Sequence, residues 1–428
     1  MDHADLDPLL SLCGSKMWPT ICGLSVLLAP PPLRHAAQWA DDNRILPPGS
    51  AEPGPFRSAR TPYMIPVATA FSDPHYRRVV MVCASQMGKT DLALNVIGHR
   101  LDDAPTPIMY VGPSMSFVET KFDPRLMEML RSTPTLWDRL LKGKACRKTL
   151  KHVGGADLNL AWAGSATEMA SFPAALALID ELDRMELDVE GEGSPVGLVE
   201  ARGNTYPDFK LGVFSTPLVG NVEAVVHETT GLVHWMVGEA SDLESPTWRL
   251  WQEGTRQEWA WPCVDCGDYF IPRFALLKWP EKSTPIQALR GARLMCPHCG
   301  SLISDARKTE MNGRGRMVAP GQSVDHDGVV SGGLPDADSA SFWISGLCSP
   351  WVTWGRLAKN FVEATHAGDP GRIQTVVNTG FGELFKIGAG QARSPELLGD
   401  RLRRPYRFDQ VPAGATSLVC GLMSRRTG

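Results

Sequence analysis

Residues 83–90, with the sequence Cys-Ala-Ser-Gln-Met-Gly-Lys-Thr, have the types and spacing of a loop that binds nucleotide phosphates. They match the pattern G-x-x-x-x-G-K-[ST] except that Cys83 replaces the first glycine. Gly88 lets the backbone approach the phosphates, Lys89 places a positive charge beside them, and Thr90 offers a hydroxyl to Mg²⁺. The predicted phosphate-binding residues are Ser85, Gln86, Met87, Gly88, Lys89 and Thr90. The alternative is a strand, turn and helix with an incidental lysine.

Two adjacent carboxylates, Asp180 and Glu181, follow the apolar run at residues 176–179. In phosphoryl-transfer sites, one strand-end carboxylate holds Mg²⁺ and a neighbouring one orients the attacking water. Adjacent side chains diverge on a strand, so we assign Asp180 the first role and Glu181 the second. Alone, the pair fits a helix start equally well. The phosphate loop upstream favours the chemical interpretation.

Small hydroxyl side chains end the next apolar run, where Ser215 and Thr216 precede Pro217. Beside a bound nucleotide, such hydroxyls could sense the terminal phosphate and couple its loss to movement. The alternative is an ordinary strand-to-loop turn with Pro217 as the breaker. The residues alone favour the turn.

Two C-x-x-C-G motifs, Cys263/Cys266 and Cys296/Cys299, have the spacing of the two halves of a zinc site. A tight turn lets both thiolates of a pair reach one ion, and the following glycine suits that turn. Four thiolates complete a tetrahedral shell, which indicates structural rather than catalytic zinc. His298 lies between two predicted ligands and is interpreted as a bystander.

The elements around these motifs indicate the fold class. Apolar runs occur at residues 79–83, 108–111, 176–179 and 211–214, with helix-length stretches between them, including a helix from Lys89 to about residue 101. Continuous apolar strands separated by helices are typical of a mostly parallel sheet covered on both faces. We therefore predict an α/β fold with a nucleotide-binding sheet and a small four-cysteine, zinc-ribbon-like insertion.

Composition and length bound the remaining possibilities. A chain of 428 residues with a net charge of −4 and 43% hydrophobic residues is ordinary for a globular protein of two or more domains. The charge gives no global sign of a nucleic-acid partner, although a local basic surface is compatible with it. The ten cysteines in so long a chain favour metal binding in a reducing compartment. The apolar run at residues 21–29 is too short to span a bilayer, so no membrane association is expected.

The predicted organisation has five parts. They are an irregular and helical lead-in at 1–60, a nucleotide-hydrolysing core at 61–240, a zinc-binding segment at 241–310, a remaining core or linker region at 311–390, and a linker with the start of a further domain at 391–428.

The order of these motifs resembles the large terminase subunit of lambda-type phages, the GpA family. The stretches that carry the resemblance are 86–90, 180–184, 215–217 and the two C-x-x-C-G pairs, with weaker similarity at 33–42, 53–54, 62–63, 190–202 and 378–383. It runs from about residue 28 to residue 421. Each motif alone is weak, and the ordered set is specific.

The resemblance implies an ATPase motor that moves viral double-stranded DNA into a procapsid, inside the host bacterial cytoplasm. It implies ATP, Mg²⁺ and Zn²⁺ as ligands. Expected partners are DNA, a small terminase subunit, the portal and further copies of the chain. By carry-over, Lys89 and Glu181 are catalytic and residues 215–217 couple hydrolysis to motion. Tyr63 is a candidate for stacking on adenine, and Arg202 for neutralising charge.

The same resemblance raises an expectation about the end of the chain. The family's ATPase is followed by a nuclease whose first strand ends in an aspartate. Here the run at residues 418–422 is followed by Met423 and a short basic ending, so the nuclease is expected to be truncated and its activity lost. Two alternatives stay open, namely a helicase-like ATPase of another system and a non-enzymatic prophage remnant.

Overall fold

The computed structural model describes residues 34–218, 220–239 and 243–385. The α-helices are α1 (Ala36–Asn43), α2 (Met64–Ala70), α3 (Lys89–Asp103), α4 (Met115–Phe117), α5 (Asp123–Ser132), α6 (Pro134–Arg139), α7 (Ala166–Ala170), α8 (Pro195–Glu200), α9 (Pro246–Glu253), α10 (Pro285–Gly291), α11 (Lys308–Gly313), α12 (Trp354–His366) and α13 (Pro370–Phe381).

Nineteen strands are assigned within the described residues. They are β1 (Ile45–Leu46), β2 (Gly54–Pro55), β3 (Arg78–Cys83), β4 (Ile108–Gly112), β5 (Leu150–Val153), β6 (Ala156–Trp162), β7 (Leu176–Asp180), β8 (Lys210–Ser215), β9 (Ala224–Val226), β10 (Val233–Trp235), β11 (Gln257–Pro262), β12 (Tyr269–Phe270), β13 (Leu277–Lys278), β14 (Arg293–Met295), β15 (Leu302–Ile303), β16 (Arg316–Val318), β17 (Ser323–Val324), β18 (Val330–Ser331) and β19 (Ser339–Ile344).

A ten-stranded sheet organises the protein. Its order is β12-β11-β19-β3-β8-β7-β4-β6-β5, with β16 also paired to β11. The seven strands from β11 to β6 in that order are parallel, while β12, β16 and β5 pair antiparallel at the two ends. The mostly parallel α/β sheet predicted from the sequence is confirmed.

The alternation of side chains in β3 explains why its sequence is apolar throughout. Val79, Met81 and Cys83 belong to one hydrophobic core, and Val80 and Val82 belong to a second core on the opposite face. Successive side chains of a strand point to opposite faces, so a strand covered on both sides needs apolar residues at every position.

Helix α1 covers part of the first core by packing against α3. Trp39 is fully buried, and its ring occupies the space beside Gly98, where a Cβ atom would lie 2.0 Å from the ring. The Trp39 indole N–H also donates to Asp102 Oδ2 at 2.9 Å. The glycine within α3 is therefore explained by the close approach of the tryptophan.

The sheet extends beyond the predicted core at 61–240. Strand β19 lies between β3 and β11, and β11 leads directly into the first cysteine pair. No helix among the described residues is long and apolar enough to cross a membrane.

Candidate functional site

The predicted phosphate loop lies between the end of β3 and the start of α3. Gly88 caps α3 with φ of 98°, and Gln86 also has a positive φ of 57°. The loop is fixed from outside by α13, because the Ser85 backbone N–H and hydroxyl both donate to the Thr379 carbonyl, at 2.9 and 3.0 Å. The loop and the first turn of α3 line a cavity. The free N–H groups at the start of a helix bind anions.

The Lys89 ammonium is the centre of the site. It is buried and donates to the Thr216 hydroxyl at 2.5 Å, and it lies 3.3 Å from Glu181 Oε1. Burial opposes the positive charge, but the neighbouring Cys83, Glu181 and Asp180 outweigh it and raise the pKa of Lys89 above its usual value. The amine is therefore charged at neutral pH.

Asp180, at the end of β7, is fully buried. One carboxylate oxygen accepts a hydrogen bond from the Tyr110 hydroxyl at 2.9 Å, and Oδ1 has no hydrogen-bond partner. Burial, and then the charge of Glu181, raise the pKa of Asp180 to about 6, although Lys89 and Tyr110 act in the opposite direction. A buried carboxylate oxygen without a partner suits a nearby cation.

Glu181 leaves the strand in a left-handed conformation, with φ of 58° and ψ of 46°. Its backbone N–H donates to the Phe214 carbonyl at 2.7 Å, which anchors the turn to β8. The side chain lines the cavity, and its second carboxylate oxygen lies 3.4 Å from Arg184 Nε. This conformation is uncommon for a residue other than glycine and is typical of functional turns.

The hydroxyl pair predicted to couple hydrolysis to motion lies next to these groups. Strand β8 sits between β3 and β7, so Ser215 and Thr216 end between the phosphate loop and the two carboxylates. Thr216 contacts Lys89, and the Ser215 hydroxyl accepts a hydrogen bond from the Asp183 backbone N–H at 3.1 Å. Pro217 follows and is buried.

A cavity of about 960 Å³ opens over the phosphate loop. All six predicted phosphate-binding residues and Glu181 line it, and its far wall comes from the β1–β2 region. There the Arg44 guanidinium lies 5.1 Å from the centre of the Phe56 ring. The volume is sufficient for a nucleotide, given that ligand cavities are typically about 300–1,000 Å³.

Tyr63 and Arg202, whose roles come from the resemblance, do not line this cavity. Tyr63 is fully buried, its hydroxyl donates to the Met87 carbonyl at 3.3 Å, and its ring meets the edge of Trp259. It therefore supports the loop from beneath and has no exposed face for adenine. The Arg202 guanidinium donates to the Ala170 carbonyl at 2.7 Å, and Arg202 does not line the cavity. Neither position supports the role predicted from the resemblance.

Several cavity residues were not identified from the sequence. Arg125 lines the cavity, lies 3.3 Å from Asp91 and lowers the pKa of Asp180. Trp351 closes one side, near Gly88. No local motif marks these two residues, because they come from distant stretches of the chain.

The four predicted cysteine ligands converge. Their sulfur atoms all lie within 4.8 Å of one another, with Cys263 and Cys299 3.8 Å apart and Cys266 and Cys296 3.9 Å apart. A tetrahedral zinc ion with Zn–S bonds of about 2.3 Å requires sulfur separations of about 3.8 Å. The residues therefore fit zinc. His298 is absent from the ligand set and its ring contacts the Tyr269 carbonyl instead.

The two halves of the cysteine cluster have the same backbone geometry. In each, the glycine after the second cysteine has a positive φ, 83° at Gly267 and 74° at Gly300, and its N–H donates at 3.0 Å to the carbonyl of the first cysteine. The first half joins β11 to β12 and the second joins β14 to β15. Two hairpins joined by one four-sulfur cluster form a zinc-ribbon arrangement, as predicted.

Comparison with known families gives two matches. Residues 50–316 match the model described as the ATPase domain of phage terminase large subunit gpA. Residues 339–422 match the endonuclease domain of the same subunit.

The second match bears on one expectation. The expectation that the nuclease is truncated and its activity lost is not supported, because residues 339–422 match that domain. Its first described residues form β19, which lies inside the ten-stranded sheet beside β3. The part of the match after residue 385, and Met423, fall outside the described residues.

Two related proteins are the terminase large subunits of Enterobacteria phage P21 and Escherichia phage lambda. They are 24% and 25% identical to this chain, and each comparison covers 94% of the chain and 60% of the relative. The chain thus spans about 60% of the length of these relatives.

Solved structures with similarity include two large terminases. The ATPase domain from Thermus phage P74-26 is 12% identical with a TM-score of 0.39, covering 72% of this chain and 92% of that one. The HK97 bacteriophage large terminase is 14% identical with a TM-score of 0.35, covering 44% of this chain and 38% of that one.

Gly382 generates a prediction about the phosphate loop. It has φ of 71°, and a Cβ atom there would lie 2.7 Å from the Ala84 backbone nitrogen. We expect Gly382→Ala to lower the free energy of unfolding by about 1–3 kcal/mol more than a glycine-to-alanine change without a clash, and to weaken nucleotide binding. Chemical denaturation and nucleotide titration measure both effects.

Gly368 provides the matched control. It also follows a helix, its φ is 64°, and a Cβ atom there would meet no atom within 4 Å. Gly368→Ala should carry only the cost of a left-handed backbone conformation, about 1–2 kcal/mol. Equal losses in the two variants would contradict the proposed contact with Ala84.

The cysteine cluster generates a second prediction. Cys263→Ser should reduce bound zinc from about one ion per chain to about none and lower the unfolding temperature, because a structural site contributes to folding. Elemental analysis and thermal unfolding measure the two effects. Cys146→Ser, outside the cluster, should leave the zinc content unchanged. Zinc retained at the wild-type level in Cys263→Ser would refute the assignment.

Proposed function

This chain belongs to the gpA family of phage terminase large subunits, and from that membership we propose that it is the ATP-hydrolysing motor subunit that packages double-stranded DNA into a procapsid. One observation carries the proposal. The Lys89 ammonium lies within 3.3 Å of both the Thr216 hydroxyl and Glu181. Lys89 begins α3, Thr216 follows β8 and Glu181 follows β7. A phosphate loop, a sensor and a catalytic carboxylate so close together suit hydrolysis coupled to movement.

Binding of ATP follows from the loop geometry. The phosphates are expected at the N-terminus of α3, where free N–H groups and the Lys89 charge attract them. Thr90 and Asp180 are the groups that would hold Mg²⁺, which neutralises charge on the phosphate oxygens. The buried and unpartnered Asp180 Oδ1 supports this assignment. The base and ribose are expected toward Arg44 and Phe56, the far wall of the cavity, since Tyr63 is inaccessible.

Hydrolysis requires a water molecule aligned with the terminal phosphate. Glu181 lines the cavity beside Lys89 and is the carboxylate available to orient that water and accept its proton. Glu181 lines the cavity, whereas Asp180 is buried and bonded to Tyr110, so we assign the two carboxylates to different ligands. Arg125, 48% exposed and on the same cavity wall, is the available cation for neutralising developing charge.

Coupling to movement rests on competition for the Lys89 ammonium. Arriving phosphate oxygens compete with Thr216 and Glu181 for that ammonium, and departing phosphate restores both contacts. Thr216 follows β8, and its neighbour Ser215 bonds to the turn at Asp183, which in turn accepts hydrogen bonds from the backbone N–H groups of Leu218 and Thr247. A change at Thr216 therefore reaches α9 through a short chain of hydrogen bonds.

The partners are carried over from the family. We propose duplex DNA, a small terminase subunit, the portal of the procapsid and further copies of this chain, acting inside the host bacterium. Arg202 has no contact with the cavity of its own chain, so any role in neutralising charge would require a neighbouring copy.

ATP turnover tests the enzymatic part of the proposal. Glu181→Gln should lower kcat by about 10²–10⁴-fold, the range for loss of a general base. Lys89→Ala should lower it by about 10²–10³-fold through loss of charge stabilisation. Both variants should keep the wild-type zinc content. Phosphate release, measured with and without duplex DNA, reports the rates.

Glu186→Gln is the control, because this exposed carboxylate lies five residues beyond Glu181 and outside the cavity. It should turn over at the wild-type rate. Wild-type protein that neither binds nor hydrolyses ATP would favour the prophage-remnant alternative. Turnover stimulated by single strands but indifferent to duplex DNA would favour the helicase-like alternative.

The titration of Asp180 gives a pH prediction. Its pKa of about 6 means that the carboxylate is ionised above that pH and protonated below it. Mg²⁺ binding to the free protein should therefore weaken about tenfold for each pH unit below 6. Tyr110→Phe removes a hydrogen bond that favours the ionised form, so its midpoint should lie at higher pH. Metal titration from pH 5 to 8 measures both midpoints, and identical profiles would exclude Asp180 as the titrating ligand.

A further inference from the structure

Residues 139–152, here called the basic segment, carry a local excess of positive charge. The segment contains six lysine or arginine residues and no aspartate or glutamate, although the whole chain has a net charge of −4. It begins at the end of α6, contains a short 3-10 turn at Gly143–Ala145, and continues into β5 at the end of the sheet. The phosphate loop does not explain this charge, because five strand-to-strand steps, about 24 Å at about 4.8 Å each, separate β3 from β5.

Three of the six cations have acidic partners. Arg139 contacts Asp102, Lys148 lies 3.2 Å from Glu119, and the buried Lys151 lies 2.7 Å from Asp123. These pairs hold the segment against the body of the protein. They leave the other three cations to be explained.

Lys142, Lys144 and Arg147 are exposed, and none of them forms an ion pair with an acidic residue in the described part of the chain. They lie on and beside the 3-10 turn, the most exposed stretch of the segment. Like charges close together repel one another, and an external anion that binds them relieves that repulsion.

An aromatic ring contacts one of these three cations. The Lys142 ammonium lies 4.4 Å from the centre of the Trp137 ring, and the Arg131 guanidinium lies 5.9 Å from the same ring. Such cation–π contacts hold long side chains near one geometry and reduce the entropy lost on binding. The surface is therefore partly ordered before any ligand arrives.

We propose that Lys142, Lys144 and Arg147 contact the phosphate backbone of duplex DNA; this inference rests on the proposed packaging function. Lysine is depleted at protein–protein interfaces, whereas protein–DNA interfaces are strongly positive. The one large hydrophobic side chain of the segment that is strongly exposed is Leu141, too little for an apolar protein interface. Contacts to phosphate carry no sequence information, as a motor that moves along any sequence requires.

The surface is also connected to the nucleotide site. Helix α5 carries Arg125, which lines the cavity, and Arg131, which contacts Trp137. They are six steps apart along the helix, a rise of about 9 Å at about 1.5 Å per residue. A rigid helix thus links the DNA-contacting surface to the cavity wall.

The test compares two triple variants of equal charge. One is Lys142→Gln, Lys144→Gln, Arg147→Gln. The control is Lys278→Gln, Lys282→Gln, Arg290→Gln, which removes two lysines and one arginine from exposed positions near the zinc ribbon. Affinity for a 30-base-pair duplex of arbitrary sequence is measured by fluorescence anisotropy at salt concentrations between about 50 and 200 mM. Over this range, affinity that depends on phosphate contacts falls steeply with salt. ATP turnover without DNA serves as the folding check for both.

The first variant should bind DNA about tenfold or more weakly, and its slope of log affinity against log salt should be smaller in magnitude by about 2–3, near 0.9 for each phosphate that is no longer neutralised. The control should match the wild type in both. Equal behaviour of the two variants would overturn the surface assignment while leaving the motor proposal intact. A wild-type chain that hydrolyses ATP but fails to bind duplex DNA at low salt would overturn the packaging proposal itself.

Discussion

The rest of the structure depends on the burial of one positive charge, the Lys89 ammonium. Burial of an isolated ammonium costs several kcal/mol, so its partners must be present wherever the chain folds around it. The sheet order supplies them. Val82 of β3 is in register with Ser215 of β8, and Phe214 is in register with Asp180 of β7. With that registration, the residues that follow each strand, Thr216 and Glu181, meet at the same edge as the phosphate loop. A slip of one residue in either pair would separate the charge from its partners.

The phosphate loop is likewise shaped by parts of the chain that lie far from it in sequence. Thr379 accepts two hydrogen bonds from Ser85, and the Gly382 carbonyl accepts one from the Trp343 indole at 2.7 Å. The next residue, Glu383, accepts a hydrogen bond from the Phe274 backbone N–H at 2.6 Å, and burial raises the pKa of its carboxyl to about 7. The turn after α13 therefore joins the loop, β19 and the region beyond the first cysteine pair into one packed unit.

The sequence was informative where chemistry and local structure share a short stretch. Strands β3, β7 and β8, helix α3 and both cysteine pairs follow from runs of apolar residues and fixed spacings. It was uninformative where distant segments meet. Strand β19 follows a stretch rich in Gly and Asp, and no pattern indicates that it pairs beside β3. Arg125 enters the cavity through tertiary packing, and Tyr63 is excluded from it for the same reason. The roles of Arg202 and Tyr63 came from resemblance alone, which carries no information about burial.

The pairing of β19 with β3 also has a consequence during synthesis, because β3 must wait for β19 to be translated. More than half the chain lies between these two strands. At about 5–20 residues per second, translation would take roughly 13–51 s to cross that interval. Throughout it, β3 has β8 on one side at most and exposes unpaired N–H and C=O groups on the other. Such an open edge invites pairing with other nascent chains. The late segment that contains β19 and Thr379 covers this edge and also completes the phosphate loop. The chain therefore gains its nucleotide site at the same stage at which its open edge is covered.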